Sequence, residues 1–161
     1  MERLKITIVK PLQDLNLLPL RKKTFPSLNR MIFALLPTLL LASLLGTYLD
    51  LYFVGKGIYA FPKRPLADIF SIHIAFTLVI LPIIIFAFLV VGCCLSLWQR
   101  SIFILLLSLL MSAGEKGLEL VGLFVHQASW LHLYSFFGYN LFLSSMFFFY
   151  SLYIRLISCD K

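Results

Sequence analysis

Charge is what this 161-residue chain has least of: 13% of its residues are Asp, Glu, Lys or Arg, and only seven of them are acidic. Soluble domains carry about 25% charged residues, so a surface bathed on all sides by water is excluded. Cysteine is scarce too, at three. Cys93 and Cys94 are adjacent and Cys159 lies far away. That spacing excludes a disulfide framework and a paired-cysteine zinc site, and leaves small apolar packing as their role. The chain also lacks a glycine-rich phosphate loop, a Rossmann fingerprint, Gly-x-Ser-x-Gly, Ser-x-x-Lys and His-Glu-x-x-His. No cofactor, no metal and no catalytic residue are therefore expected. No cleavable leader is expected either, because the first residues alternate apolar and charged and the first long apolar run begins near Met31.

What is present in excess is apolar surface. Hydrophobic residues make up 61% of the chain, Phe alone contributes 16, and the mean hydropathy is +0.97. A bilayer is the solvent for such a composition, at about 20 apolar residues per crossing. The expected fold is all-α, an integral membrane bundle of four transmembrane helices over residues 31–49, 69–97, 102–125 and 133–157. A basic cytosolic or membrane-surface segment, 1–30, precedes the bundle, and 158–161 form a cytosolic tail.

Seven of the fourteen basic residues, Arg3, Lys5, Lys10, Arg21, Lys22, Lys23 and Arg30, sit in that first segment. With no nucleic-acid reading motif beside them, they are an orientation signal and a contact for anionic lipid head groups, and no nucleic-acid partner is expected. With the N-terminus inside, Arg100, Arg155 and Lys161 join them on the cytosolic side, against Lys56, Lys63, Arg64 and Lys116 outside. Ten against four favours N-in, C-in.

Within the expected spans, Ala42 and Gly46 have the small-xxx-small spacing that lets another helix approach. Residues 50–68 mix Gly55, Gly57, Pro62 and Pro65 with aromatics and charge, as an interfacial loop does. Asp68 is an expected N-cap, Pro82 an interior kink or tilt point, and His73 lies near the boundary. Trp98 to Ser101 is read as a short connection, with Trp98 and Trp130 marking opposite interfaces.

The third segment carries the one interruption. Fourteen Leu, Ile, Val or Phe residues lie between Ile102 and Val125, alongside Glu115, Lys116 and Glu119. At about −0.3 to −0.6 kcal/mol each, the apolar residues gain roughly 4 to 8 kcal/mol, against about 2.5 to 3.5 for each central charge, so the charges nearly cancel the gain. On a helix, Ser101, Ser108, Ser112, Glu115, Glu119, Gly122 and His126 fall within roughly an 80° arc, a single polar seam. Lys116 lies off it and pairs with Glu119 at i,i+3.

The first expectation is an accessory or scaffold component acting through helix contacts, with these groups bonded among themselves. Its partner is another membrane protein or a second copy of the chain. The rival is a small oligomeric proton- or cation-linked carrier or channel, with Glu115 and Glu119 as ion sites and His126 near the outer mouth. A third is a lipid-modifying enzyme, with Lys63 and Arg64 contacting lipid phosphate. Asp50 and His73 form a candidate outer cluster. His73, Asp50, Asp68, Glu115, Glu119, His126 and His132 share the outer half, but none is in a recognised metal motif, and His132 reads as an interfacial aromatic.

Gly46 to Gly57 (Gly-Thr-Tyr-Leu-Asp-Leu-Tyr-Phe-Val-Gly-Lys-Gly), Phe61-Pro62-Lys63-Arg64-Pro65, Phe70-Ser71-Ile72, the Glu115-Lys116 pair and Tyr134-Ser135-Phe136-Phe137-Gly138-Tyr139 carry a resemblance. Through them the chain, from about Met31 to Tyr153, resembles a family of small uncharacterised multipass membrane proteins of endospore-forming bacteria. The resemblance implies a bacterial plasma membrane and no activity, so no functional residue comes with it.

Overall fold

The four apolar runs fold into four helices long and apolar enough to cross a membrane, Met31–Gly55, Phe76–Cys94, Leu97–Leu120 and His132–Ile157. The computed structural model describes residues 28–127 and 130–159, so most of the basic N-terminal segment and its expected lipid contacts lie outside the described residues. In chain order the elements are α1 (Leu28–Gly55), β1 (Tyr59–Ala60), a π-helical turn (Phe76–Ile80) leading into α2 (Leu81–Cys94), α3 (Leu97–Leu120), β2 (Val125–His126) and α4 (His132–Cys159). Among the described residues the regular structure is thus all helical apart from one two-residue antiparallel pair, in which Tyr59 faces His126 and Ala60 faces Val125.

The helix ends depart from the expected ones, and local chemistry says why. Two glycines take left-handed backbone, Gly57 at φ +67° and Gly122 at φ +72°. At α1, Ile58 N–H donates to Phe53 C=O and Gly57 N–H to Val54 C=O, the paired bonds of a Schellman cap. The helix therefore runs past the expected limit of 49, through Asp50. At α3, Leu123 N–H donates to Leu118 C=O and Gly122 N–H to Glu119 C=O, so the helix closes there and not at 125. Gly122 and His126 accordingly leave the helical seam.

The second crossing starts later than 69, and Asp68 caps no helix. Instead His73 Nδ1 accepts from Phe76 N–H at 3.2 Å and opens the π turn. Leu81 N–H reaches back five residues to Phe76 C=O, just ahead of Pro82, whose ring would clash with the fourth preceding carbonyl in regular α-helix. The widened turn absorbs the proline. At the other end α3 begins at Leu97, so Leu95 and Ser96 form the connection in place of Trp98 to Ser101. Arg100 locks it, donating to Gly92 C=O and Leu95 C=O while stacking 4.0 Å above the Phe147 ring.

Helix α4 is central, packing on α1, α2 and α3, while α1 also packs on α2. Ala34, Ala42, Ile85, Phe88, Leu89, Leu143, Met146 and Tyr150 form the sealed core, with Cys93 packed at its edge. Leu36, Leu40, Leu44, Leu106, Leu110, Leu141 and Phe148 face outward, an apolar girdle suited to lipid. Ala42 is fully buried, and a Cβ added at Gly46 would strike the Leu81 side chain. The small pair thus sets how closely α1 approaches α2. Gly46→Ile is expected to cost about 1–3 kcal/mol through overpacking, read as a lower unfolding midpoint in detergent. An unchanged midpoint would contradict that close approach.

Candidate functional site

Polar groups collect at the end of the bundle where α1 and α3 close and α4 begins. Glu115 and Glu119 stand one turn apart on α3 and so share a face. The chain turns at Gly122, and pairing of β2 with β1 carries His126 back over both carboxylates. His126 Nδ1 lies 3.1 Å from Glu119 Oε1, and its Nε2 lies 3.8 Å from Glu115 Oε2. An ionised carboxylate only accepts, so the Glu119 contact calls for the hydrogen on Nδ1.

His132 opens α4, and Ser112 Oγ fixes it by donating to its carbonyl at 3.0 Å. Its Nε2 lies 3.8 Å from Glu119 Oε2, and its ring meets that of His126 edge to face. The Tyr139 hydroxyl donates to Glu115 Oε1. After these contacts, Glu115 Oε2, His126 Nε2 and His132 Nδ1 are buried with no hydrogen-bond partner. The His126 side chain is 5% exposed and that of Glu115 14%. One donor atom from each of the three residues lies within 4.8 Å of the others.

Buried polar atoms without partners are rare, and three residues that each keep one while clustering this closely mark a candidate ion site. Two imidazoles and a carboxylate are the donor set of a three-ligand zinc centre, and bonds of about 2.0–2.2 Å require side-chain shifts on the order of 1 Å to close around an ion. Glu119, accepting from the far nitrogen of His126, fits the carboxylate that orients a ligating imidazole.

Beside the cluster lies a cavity of about 160 Å³, whose wall includes Glu115 and Asp50. Asp50 Oδ1 accepts from the Tyr59 hydroxyl at 2.6 Å, while Oδ2 is buried and unpartnered. Burial, then the neighbouring Asp50 charge, hold the Tyr59 hydroxyl well above the ordinary tyrosine range.

The expected site residues scatter into different roles. Glu115, Glu119 and His126 come together, and Ser112 supports them, but Ser108 Oγ donates to Ile104 C=O and Ser101 Oγ to Leu97 C=O within their own helix. The expected Lys116–Glu119 pair is not formed: among the described residues, Glu119 has His126 and His132 as its ion-pair partners, and Lys116 is exposed. Asp50 and His73 form no bonded cluster, because Asp50 is held by Tyr59 and His73 accepts from the Phe76 amide. Arg64 commits its guanidinium to Phe70, Phe61 and Ala67 carbonyls, which folds the loop and removes it as a ready phosphate contact. Lys63 Nζ lies 3.4 Å from Val121 C=O over the α3 cap.

Sequence reasoning missed Tyr59, Tyr139 and the place of His132 beside Glu119 and His126. Folding α3 back toward α4 about the Gly122 turn was the available signal for His132, since it and Ser112 lie equally far from the turn, whereas no such spacing sets Tyr139 opposite Glu115. Four crossing-length helices with polar groups gathered at one end define a multi-pass membrane protein. Comparison with protein-family models, curated proteins and solved structures finds no significant match.

The Tyr59 environment fixes a pH dependence. The free side chain ionises near pH 10, and the folded chain holds this proton more tightly, so Tyr59 contributes fully below about pH 10 and its contribution falls as pH rises beyond it. Tyr59→Phe is expected to flatten that alkaline loss in denaturation midpoints. A slope equal to that of the unsubstituted protein would contradict the assignment.

Proposed function

We propose that this chain is a metal-ion-handling protein of the bacterial plasma membrane, working through a divalent transition-metal site of Glu115, His126 and His132. The single observation that carries the reading is that Glu115, His126 and His132 each bring one ligand-type atom within 4.8 Å of the others, and that each also keeps a buried side-chain atom with no hydrogen-bond partner. Borderline-soft ions suit mixed imidazole and carboxylate donors, whereas calcium and magnesium prefer oxygen alone, so a zinc-class ion is the occupant. Three protein ligands leave a fourth position for water or an exchanging group. This develops the cation-linked expectation in preference to the scaffold one, in which the same polar atoms would have satisfied one another.

The site faces the outside in an N-in, C-in arrangement. The excess of Lys and Arg assigned to the other side supports it, ten residues to four. A reporter fused after Lys161 is expected to be active only in the cytosol, and activity outside would overturn the orientation.

The purified protein is expected to bind Zn²⁺ stoichiometrically and to give the visible spectrum of tetrahedral Co²⁺ on cobalt titration. His126→Gln should abolish the spectrum, and Glu119→Gln should weaken affinity about 10- to 100-fold, as expected for loss of an orienting partner. Folded protein that binds neither ion would return the cluster to a purely structural role.

A further inference from the structure

The metal cluster leaves the adjacent cavity unexplained. Its walls come from α1, the π turn, α2, α3 and α4, and from Tyr59 and Trp130 in the loops at that end. Two of the lining residues are acidic, Asp50 and Glu115, and none is Lys, Arg or His. Around them stand the rings of Phe53, Tyr59, Trp130, Tyr134 and Tyr139. Tyr59 and Tyr139 each donate to one carboxylate oxygen, which fixes the acids without neutralising them.

Counting charge separates this cavity from the metal site. A divalent ion offsets Glu115 and Glu119, the two carboxylates that face His126 and His132. Asp50 has no ion-pair partner within 4.0 Å among the described residues, and its Oδ2 accepts no hydrogen bond. A carboxylate in such surroundings is costly until a positive group joins it, and aromatic faces attract the same kind of group. The volume sets the size, since a cavity of about 150 Å³ holds a benzene-sized body. Tyr134 and Gly138 are exposed on α4, as is Leu49 on α1, so the cavity lies behind a seam that faces lipid.

We propose that this cavity is a binding site for a small lipophilic organic cation, an ammonium head on a benzene-sized apolar body, with the head at Asp50 and the body among the rings. The ligand enters from the bilayer between α1 and α4. Asp50 supplies the charge preference, and the aromatic wall supplies affinity that a neutral analogue would share.

Benzylammonium and ethylbenzene, nearly the same shape with and without charge, test this. The chain has two Trp residues, and Trp98 lies at the far end of the bundle, so Trp98→Phe leaves Trp130 as the reporter in the cavity wall. In that background, benzylammonium is expected to shift Trp130 fluorescence saturably. Asp50→Asn should weaken it at least ten-fold while leaving ethylbenzene unchanged, a comparison in which lipid partition cancels. Gly138→Leu, whose added Cβ meets nothing in the fold, should block both ligands by filling the wall, and it remains informative if Asp50→Asn fails to fold. Equal losses for the two ligands in Asp50→Asn, or saturable binding untouched by Gly138→Leu, would overturn the proposal. The titrations are repeated in EDTA: Asp50-dependent binding that persists there stands even if the zinc site fails, and zinc binding without benzylammonium binding leaves only the metal reading.

Discussion

A chain in hydrocarbon has no water to satisfy its backbone, so every helix must end where its last carbonyls find partners. In this protein that requirement is met twice by the same device, a left-handed glycine that folds the chain back over the helix it terminates. Gly57 and Gly122 close α1 and α3 at the same end of the bundle. The two returning strands then pair, and Gln127 N–H adds a bond to Ile58 C=O beside them. Everything polar of interest is positioned by this closure. Without the turn at Gly122, His126 would continue along α3 and could not fold back over Glu115 and Glu119.

The same closure explains how the three charged residues in the last turns of α3 coexist with a membrane segment. Glu115 and Glu119 lie in the last turns of α3, away from the midplane where a charge costs most. Their partners are imidazoles and a tyrosine hydroxyl, groups that donate without adding a permanent positive charge. Lys116 points outward, where a long side chain reaches the head-group region. The arrangement is hydrogen-bonded on most of its atoms and incomplete on Glu115 Oε2, His126 Nε2 and His132 Nδ1, of which the first two stand 3.8 Å apart.

The number of crossing-length helices, the helical class and the gathering of charge in the third segment were legible because they depend on composition and on the rarity of charge. Helix limits were less legible. The loop character of Gly55 and Gly57 was visible, but the apolar Leu51 to Val54 extended α1 beyond Asp50, and Gly122 looked like a seam residue when it was a stop. The Lys116–Glu119 spacing obeyed the i,i+3 rule, yet the competing imidazoles arrive from across the turn, a contact no helical wheel contains. Arg64 read as a lipid contact because its charge was visible and its three carbonyl partners were not. His132 and Tyr139 were hidden for a related reason: both belong to a fourth segment whose only visible pattern was aromatic and apolar, and their meaning depends on the register of α4 against α3.

That register also joins the two halves of the polar end. The proposed metal donors come from α3, β2 and the start of α4, whereas Asp50 and Tyr59 come from α1 and β1. Tyr59 and His126 are partners across the strand pair, so the residue that holds Asp50 and a residue that would hold the ion are fixed by one set of backbone bonds. Glu115 lies between the halves, with Oε1 accepting from Tyr139 in the cavity wall and Oε2 turned toward His126. Turning Glu115 away from the cavity would strip the Tyr139 hydroxyl of its acceptor, so the carboxylate ties the two environments together. The strand pair and the shared carboxylate therefore link the cluster to the cavity, so the loop between α1 and the π turn and the loop between α3 and α4 must fold together to form either.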